Sequence, residues 1–330
     1  MNLPWHNSLW KQVLRRHQQD SLPHALLLCG PQGMGKALFA QRLSETLLCE
    51  KTLEQGQACG HCNSCSLREA GTHPDFLKVQ PAEIGKQIGV DQIRDLIKFY
   101  ALTTQYGRSK IVIINPAEAM NRNSANSLLK LLEEPPPKTL IMLVSHQPMG
   151  LLPTIRSRCQ LIDFSRPERK LTETWLRQHL KSSDSIPLLL NLSAQAPLAA
   201  LALVETEALA KRQALFQNLT ALPSGKSDPV SIAKAWSEWD VRQVLDWMFS
   251  WTMDIIRYSL TGQVQFLVNY DHQDVLQSLA RQFNVQALFD MLNLQKEAYQ
   301  LVNGQANIKP QGLLESIAIT WVELGLQKRR

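Results

Sequence analysis

The chain has 330 residues, enough for two or three domains around sizeable cores, and its 44% hydrophobic and 19% charged content reads as an ordinary soluble globular protein. No run of about 18 uninterrupted apolar residues occurs, so no membrane-spanning helix is expected. Met1–Leu9 lacks the basic-then-apolar layout of a secretory signal, so the expected compartment is the cytoplasm. The net charge of +6 is compatible with contact to nucleic acid. The charges are scattered, however, and the one basic run, Lys328-Arg329-Arg330, reads as a solvated tail.

In chain order, the first half alternates strand and helix patterns. Strand-length apolar runs stand at Ala25–Cys29, Phe76–Val79, Lys110–Ile114 and Leu140–Val144, and a weaker run, Gln160–Phe164, closes the series. Between them Val90, Ile93, Ile97 and Tyr100 recur at helical spacing, as do Leu128, Leu129, Leu131 and Leu132, in a segment that Pro135-Pro136-Pro137 must stop. Continuous apolar strands alternating with helices predict a parallel sheet covered on both faces.

Beyond about Pro167 the strand signals fade. Leu171–Leu180 and Ile186–Val204 read as short helices with Lys181–Ser185 as the turn between them, and Leu222–Asp228 reads as a loop. From about Glu205 onward a longer helical array follows. Within it Val244, Trp247, Met248, Trp251 and Ile255 form one stripe, which reads as core rather than as a platform for stacked bases. The expected architecture is an α/β P-loop domain over residues 1–166 with a parallel sheet and a cysteine module at about 49–65, a small helical lid over 167–206, and a helical domain over 207–330.

The strand Ala25–Cys29 runs into Gly30-Pro31-Gln32-Gly33-Met34-Gly35-Lys36-Ala37, which fits G-x-x-x-x-G-K between a strand and a helix. Gly30, Gly33 and Gly35 let the backbone curl its N–H groups inward, and the helix N-terminus and Lys36 add positive charge that favours a triphosphate. The next position usually carries a hydroxyl that ligates magnesium; here it is Ala37. The acidic residue expected at the end of a later strand is replaced by Asn115-Pro116, with Glu118 three residues past the expected place. Both magnesium-holding groups are therefore absent or weakened, and hydrolysis is expected to be lost. Lys36 argues for some nucleotide binding; the missing magnesium ligands argue against tight binding.

Six cysteines are present, and in a reducing compartment their clustering points to metal rather than disulfides. Cys49, Cys59, Cys62 and Cys65 form C-x9-C-x2-C-x2-C, a spacing that lets four thiolates converge on one tetrahedral zinc ion. A filled four-thiolate shell leaves no open position, so the site is expected to be structural, with His61 and His73 outside it. Cys29 and Cys159 read as small packing residues. After the strand Leu140–Val144, the turn containing Arg156 and Arg158 is one from which, in a P-loop assembly, an arginine can reach a neighbour's phosphates.

These residues carry a resemblance. Leu22-Pro23-His24-Ala25-Leu26-Leu27 before the P-loop, Gly71-Thr72-His73-Pro74-Asp75-Phe76 after the cysteines, and Asn126–Pro136 are similar to bacterial clamp-loader subunits of the AAA+ family, and Ser157-Arg158-Cys159 matches the motif that supplies their trans-acting arginine. The dense matches cover roughly residues 22–165. The departures at Ala37, Asn115 and Pro116 resemble the stationary member of that family rather than a motor. The resemblance implies a place in the DNA polymerase III holoenzyme, beside motor subunits and a clamp-opening subunit, loading a sliding clamp onto primed DNA. It further implies that Arg158 completes a neighbour's ATP site, and that the last domain is a collar joining a pentamer. The Ser193–Ala199 stretch, which in motors carries an ATP-sensing arginine, has no basic residue here.

By itself the chain is expected to be non-catalytic within a nucleotidyltransferase complex. Three other readings stay open. A motor using Glu118 would turn over ATP alone. A P-loop kinase lacks a nameable base, and a nucleic-acid binder built on the cysteine module has only Lys51, Arg68 and Lys78 near it.

Overall fold

The computed structural model describes residues 3–327 except 84, 107, 181–184, 226 and 304–308. Lys328-Arg329-Arg330 and residues 181–184 of the expected turn lie outside the described residues. The chain divides into two compact units, one of residues 1–175 and 196–199, the other of 176–195 and 200–330. The segment expected as a separate lid is thus shared between the two.

The first unit is built from α1 (Asn7–Gln18), β1 (Ala25–Cys29), α2 (Lys36–Leu48), α3 (Asn63–Glu69), β2 (Phe76–Val79), α4 (Val90–Ala101), β3 (Lys110–Ile114), α5 (Arg122–Glu133), β4 (Thr139–Ser145), α6 (Pro153–Arg156) and β5 (Gln160–Asp163). The strands form one parallel sheet in the order β2-β3-β4-β1-β5. All of β1 and β3 is buried, which is why β1 reads as an unbroken apolar run and β3 as one after its leading Lys110. The edge strands are half covered: most of β5 and part of β2 face outward, so their sequence signals are weaker.

Period-two alternation sends the central strands to two cores. Ala25, Leu27, Cys29, Val112, Ile114, Ile141 and Leu143 pack with Ile93, Leu96 and Tyr100 of α4 and Leu128 and Leu132 of α5. Leu26, Leu28, Ile111, Ile113, Leu140, Met142 and Val144 pack on the other face with Trp10 of α1 and Phe39 and Leu43 of α2. Each such aliphatic side chain contributes about 1.5–3 kcal/mol by leaving water. α5 starts where the Asn121 side chain accepts the Ser124 N–H and ends at Glu133, ahead of Pro135.

α7 (Arg169–His179) follows, then α8 (Ile186–Leu192) and α9 (Pro197–Glu205). Ile186–Val204 is therefore two helices. Ala194 and Gln195 sit at φ of 50° and 67°, a left-handed break that neither residue type announces, and Pro197 opens the second helix. The second unit continues with α10 (Ala208–Ala221), α11 (Pro229–Ser237), α12 (Val241–Thr261), α13 (Gln273–Gln282), α14 (Val285–Asn303) and α15 (Pro310–Gln327). The expected loop at Leu222–Asp228 starts as a 3-10 turn, Leu222–Ser224.

The stripe Val244, Trp247, Met248, Trp251 and Ile255 is buried in the core of this unit, together with Trp236, Leu288 and Trp321. Beside it lies a buried polar knot. Arg212 pairs with Asp271 through both terminal nitrogens and donates to Asn269 Oδ1 at 2.7 Å. Asp254 accepts from the Val268 and Asn269 backbone N–H groups, so the connection between α12 and α13 is tied to α10 and α12 by charge-assisted bonds. No single helix among the described residues is long and apolar enough to cross a membrane.

Candidate functional site

Lys36 opens α2 directly after Gly35, which stands at φ 84°. Its ammonium does not point outward. It is 2% exposed, and Nζ donates to the Gly30 and Pro31 carbonyls at 2.6 and 2.7 Å. Two of its three protons are therefore spent on its own loop. Burial pushes it down to about 8, against the pull of the Glu118 carboxylate and of Cys29. The Met34 carbonyl of the same loop receives the Trp5 indole N–H at 3.0 Å and His6 Nε2 at 2.8 Å. Burial holds His6 below its usual value, and because a carbonyl can only accept, Nε2 is the nitrogen that donates. The Leu198 N–H, in the first turn of α9, donates to the Gly33 carbonyl. A Cβ on Gly33 would stand 2.5 Å from Ala199 Cβ, so a glycine is required there for close approach as well as for its φ of 80°.

None of the three positions that would hold magnesium offers a free oxygen towards the loop. Ala37 is exposed on α2 and carries no oxygen donor in its side chain. Asn115 follows β3, and its Oδ1 is buried without a partner among the described residues. Glu118 returns towards the sheet: Oε1 accepts the His146 and Gln147 N–H groups at 2.8 and 3.3 Å, beyond the end of β4, while Oε2 is buried and unpaired among the described residues. Its carboxylate is thus committed to backbone at the carboxyl ends of the strands, close enough to act electrostatically on Lys36.

The four cysteines come together. Cys49 stands just after α2, Cys59 and Cys62 on the following loop, and Cys65 in α3; their Sγ atoms all lie within 4.8 Å of one another, Cys59 and Cys65 at 4.0 Å. Thiolates at about 2.3 Å from a tetrahedral ion stand about 3.8 Å apart, so the set fits such an ion without rearranging the chain. Backbone N–H groups of Cys59, Cys62 and Cys65 point at the sulfurs of Cys49, Cys59 and Cys62. The His61 backbone N–H, first among several bonds, pulls Cys59 down to about 6. Burial pushes Cys65 up to about 12; a cation held among the sulfurs would favour its thiolate instead.

Behind the cysteines runs a chain of contacts. Ser64 donates to the Leu48 carbonyl at 2.7 Å and meets His73 Nε2 at 2.8 Å, and the Asp75 N–H donates to His73 Nδ1. Nδ1 is therefore the acceptor and Nε2 carries the proton. The Asp75 carboxylate accepts the Gln105 and Tyr106 N–H groups, which ties the segment before β3 to the start of β2. His73 is a supporting residue, and His61 Nδ1 is bonded to the Cys59 carbonyl. Cys29 and Cys159 lie in the sheet core, away from the four-sulfur group.

The two arginines of the turn after β4 point differently. Arg156 is half-buried, with Nη1 on the sulfur of the exposed Met149 and Nε buried and unpaired among the described residues. Arg158 is exposed. Its Nη2 lies 2.7 Å from Glu133 Oε1, and Nη1 donates to the Thr154 carbonyl at 3.0 Å. Neither Glu133 nor the Ser64–His73–Asp75 chain stands out in the sequence. Their partners are far along the chain, and only the helix end at Pro135 and the His73-Pro74-Asp75 tripeptide hint at them.

Residues 5–168 match the family model described as DNA polymerase III, delta subunit, and residues 206–323 match the model for the C-terminal region of the same family. A Pseudomonas aeruginosa protein named DNA polymerase III subunit delta' is 38% identical, over 97% of each chain. An Escherichia coli protein of the same name is 35% identical over 77% of this chain and 76% of its own. Among solved structures, a gamma-subunit-related protein from Thermotoga maritima aligns at TM-score 0.43 and 17% identity, covering 96% of this chain and 98% of that one.

Proposed function

The chain belongs to the DNA polymerase III subunit delta' family, and from that premise we propose that it is the stationary subunit of a sliding-clamp loader, hydrolysing little or no ATP itself and lending Arg158 to the ATP site of a neighbouring motor subunit. The observation that carries this reading is the contrast between its two cationic groups. Lys36 is buried and bonded to its own loop, whereas Arg158 stands exposed on a turn. A chain that hydrolysed ATP would need the reverse at its own loop: a free lysine, a hydroxyl at position 37 and a carboxylate at the end of β3. Arg158 instead offers a fixed positive charge to phosphate bound elsewhere. There it would stabilise the charge that builds on the transferred phosphoryl group.

In this reading the partners are the motor subunits, the clamp-opening subunit and the clamp, with primed DNA reached through the assembly. Cys49, Cys59, Cys62 and Cys65 would hold zinc as a structural ion, which supplies charge neutralisation and cross-linking and leaves no position open for water. The Gly30–Lys36 loop acts as a folded brace, and any nucleotide binding there requires Lys36 to leave two carbonyls. A motor role for this chain would require Glu118 to abandon the His146 and Gln147 N–H groups.

The test is reconstitution with the motor and clamp-opening subunits, comparing wild type with Arg158→Ala. Assembly measured by size should persist, while DNA-stimulated ATP hydrolysis and clamp loading fall by roughly tenfold or more. Unchanged turnover would remove Arg158 from the reaction. ATP turnover by the purified lone chain that disappears in Lys36→Ala would overturn the non-hydrolysing part.

A further inference from the structure

We propose that Glu133 is a positioning residue for Arg158, fixing the guanidinium in the pose in which it meets a triphosphate held by a neighbouring subunit; the inference rests on the reading of Arg158 as acting in trans. Glu133 closes α5, and Arg158 lies just beyond α6. Two anchors hold the guanidinium, one on each terminal nitrogen: Glu133 Oε1 at 2.7 Å and the Thr154 carbonyl at 3.0 Å. A guanidinium has five N–H donors, so three remain for phosphate oxygens. An unrestrained arginine must lose its rotamer freedom when it engages phosphate, and the two anchors remove that freedom beforehand.

A fold-holding role explains this pair poorly. The side chains are 35% and 48% exposed, a setting in which an ion pair adds little to stability. α5 is secured by Leu128, Leu131 and Leu132, which are buried. A carboxylate in the last turn of a helix is also disfavoured by the helix dipole. Glu133 is therefore costly where it stands unless a cation answers it, and Arg158 is the cation it meets.

The experiment uses the reconstituted loader with Glu133→Ala, Glu133→Gln, Arg158→Ala and the double alanine variant, reading kcat and KM for DNA-stimulated ATP hydrolysis. Glu133→Ala should lower kcat roughly five- to tenfold with KM for ATP unchanged, because positioning is expressed in the transition state. Glu133→Gln, which keeps an acceptor oxygen and the shape, should recover most of the rate. In the Arg158→Ala background, Glu133→Ala should change nothing further. An undiminished or raised kcat in Glu133→Ala beside a collapsed Arg158→Ala overturns the positioning role alone. So does an equal loss from Glu133→Ala with and without Arg158. If Arg158→Ala itself is indistinguishable from wild type, both readings fall together.

Discussion

Lys36 illustrates how far one side chain can depart from what its motif advertises. The spacing from Gly30 to Lys36 announces a phosphate loop, and the backbone duly curls at Gly33 and Gly35. The direction of the ammonium is not a property of the motif. It follows from two carbonyls that face it and from Trp5, His6 and Leu198 occupying the neighbouring loop atoms. Replacing the lysine with methionine strips both carbonyls of their donor. Each unsatisfied buried group costs about 1–3 kcal/mol, offset in part because a cation no longer has to be buried. We expect Lys36→Met to lower the stability of the unliganded chain by about 2 kcal/mol in urea unfolding. An unshifted midpoint would mean that the lysine is not engaged in solution. At this scale the residue types were legible in the sequence and their directions were not, as Glu118 also shows: it sits where a swing towards the phosphate loop was conceivable, yet its carboxylate is held by two backbone N–H groups.

Among the elements, strands buried on both faces were the most legible. β1 and, after Lys110, β3 read as apolar runs because nothing in them faces water. The edges, β2 and β5, blend with polar surroundings. The helix break at Ala194-Gln195 was invisible because left-handed backbone is signalled by glycine or asparagine, and neither is there. The cysteine module was legible from spacing alone, but its reach was not. Ser64, His73 and Asp75 carry its influence to Gln105 and Tyr106. Metal analysis should return about one zinc per chain. Stripping the ion with a strong chelator should then speed hydrogen exchange at the Gln105 and Tyr106 amides by roughly tenfold, with α12 unaffected. Unchanged exchange at those two amides would mean that the Ser64–His73–Asp75 chain stands without the metal.

For the whole molecule, the last strand ends at Asp163 and, among the described residues, only helices follow, a change of composition that is visible in the sequence, whereas the partition into units depends on contacts rather than on composition. Each unit has its own core, so each should respond to its own buried groups. In the second unit His272 lies stacked on Phe216 at 3.8 Å, and burial holds it below its ordinary value, Asp271 pulling up and Arg212 pushing down. A lowered histidine means that the unfolded chain takes up the proton first. The stability it confers is full above about pH 6.5 and is lost as the pH falls. His272→Gln should cost about 1 kcal/mol at pH 7.5 through the lost stacking, and the gap to wild type should narrow at pH 5. A gap that is constant with pH, followed by the fluorescence of the tryptophans of this unit, would show that His272 does not titrate there.

The first unit takes Ala196–Ala199 from a stretch whose flanks, Leu176–Gln195 and Ala200 onward, belong to the second. That interleaving limits how the gene can be shuffled. A single crossover between the codons for residues 176 and 195 sets one parent's Gly33 against the other parent's Leu198 and Ala199, a contact with no room for an added methyl group. A crossover after residue 199 spares that contact but hands the second unit a foreign Leu176–Gln195. Viable hybrids should therefore come only from parents that already agree at one of these two joints, and the two units are inherited as a pair.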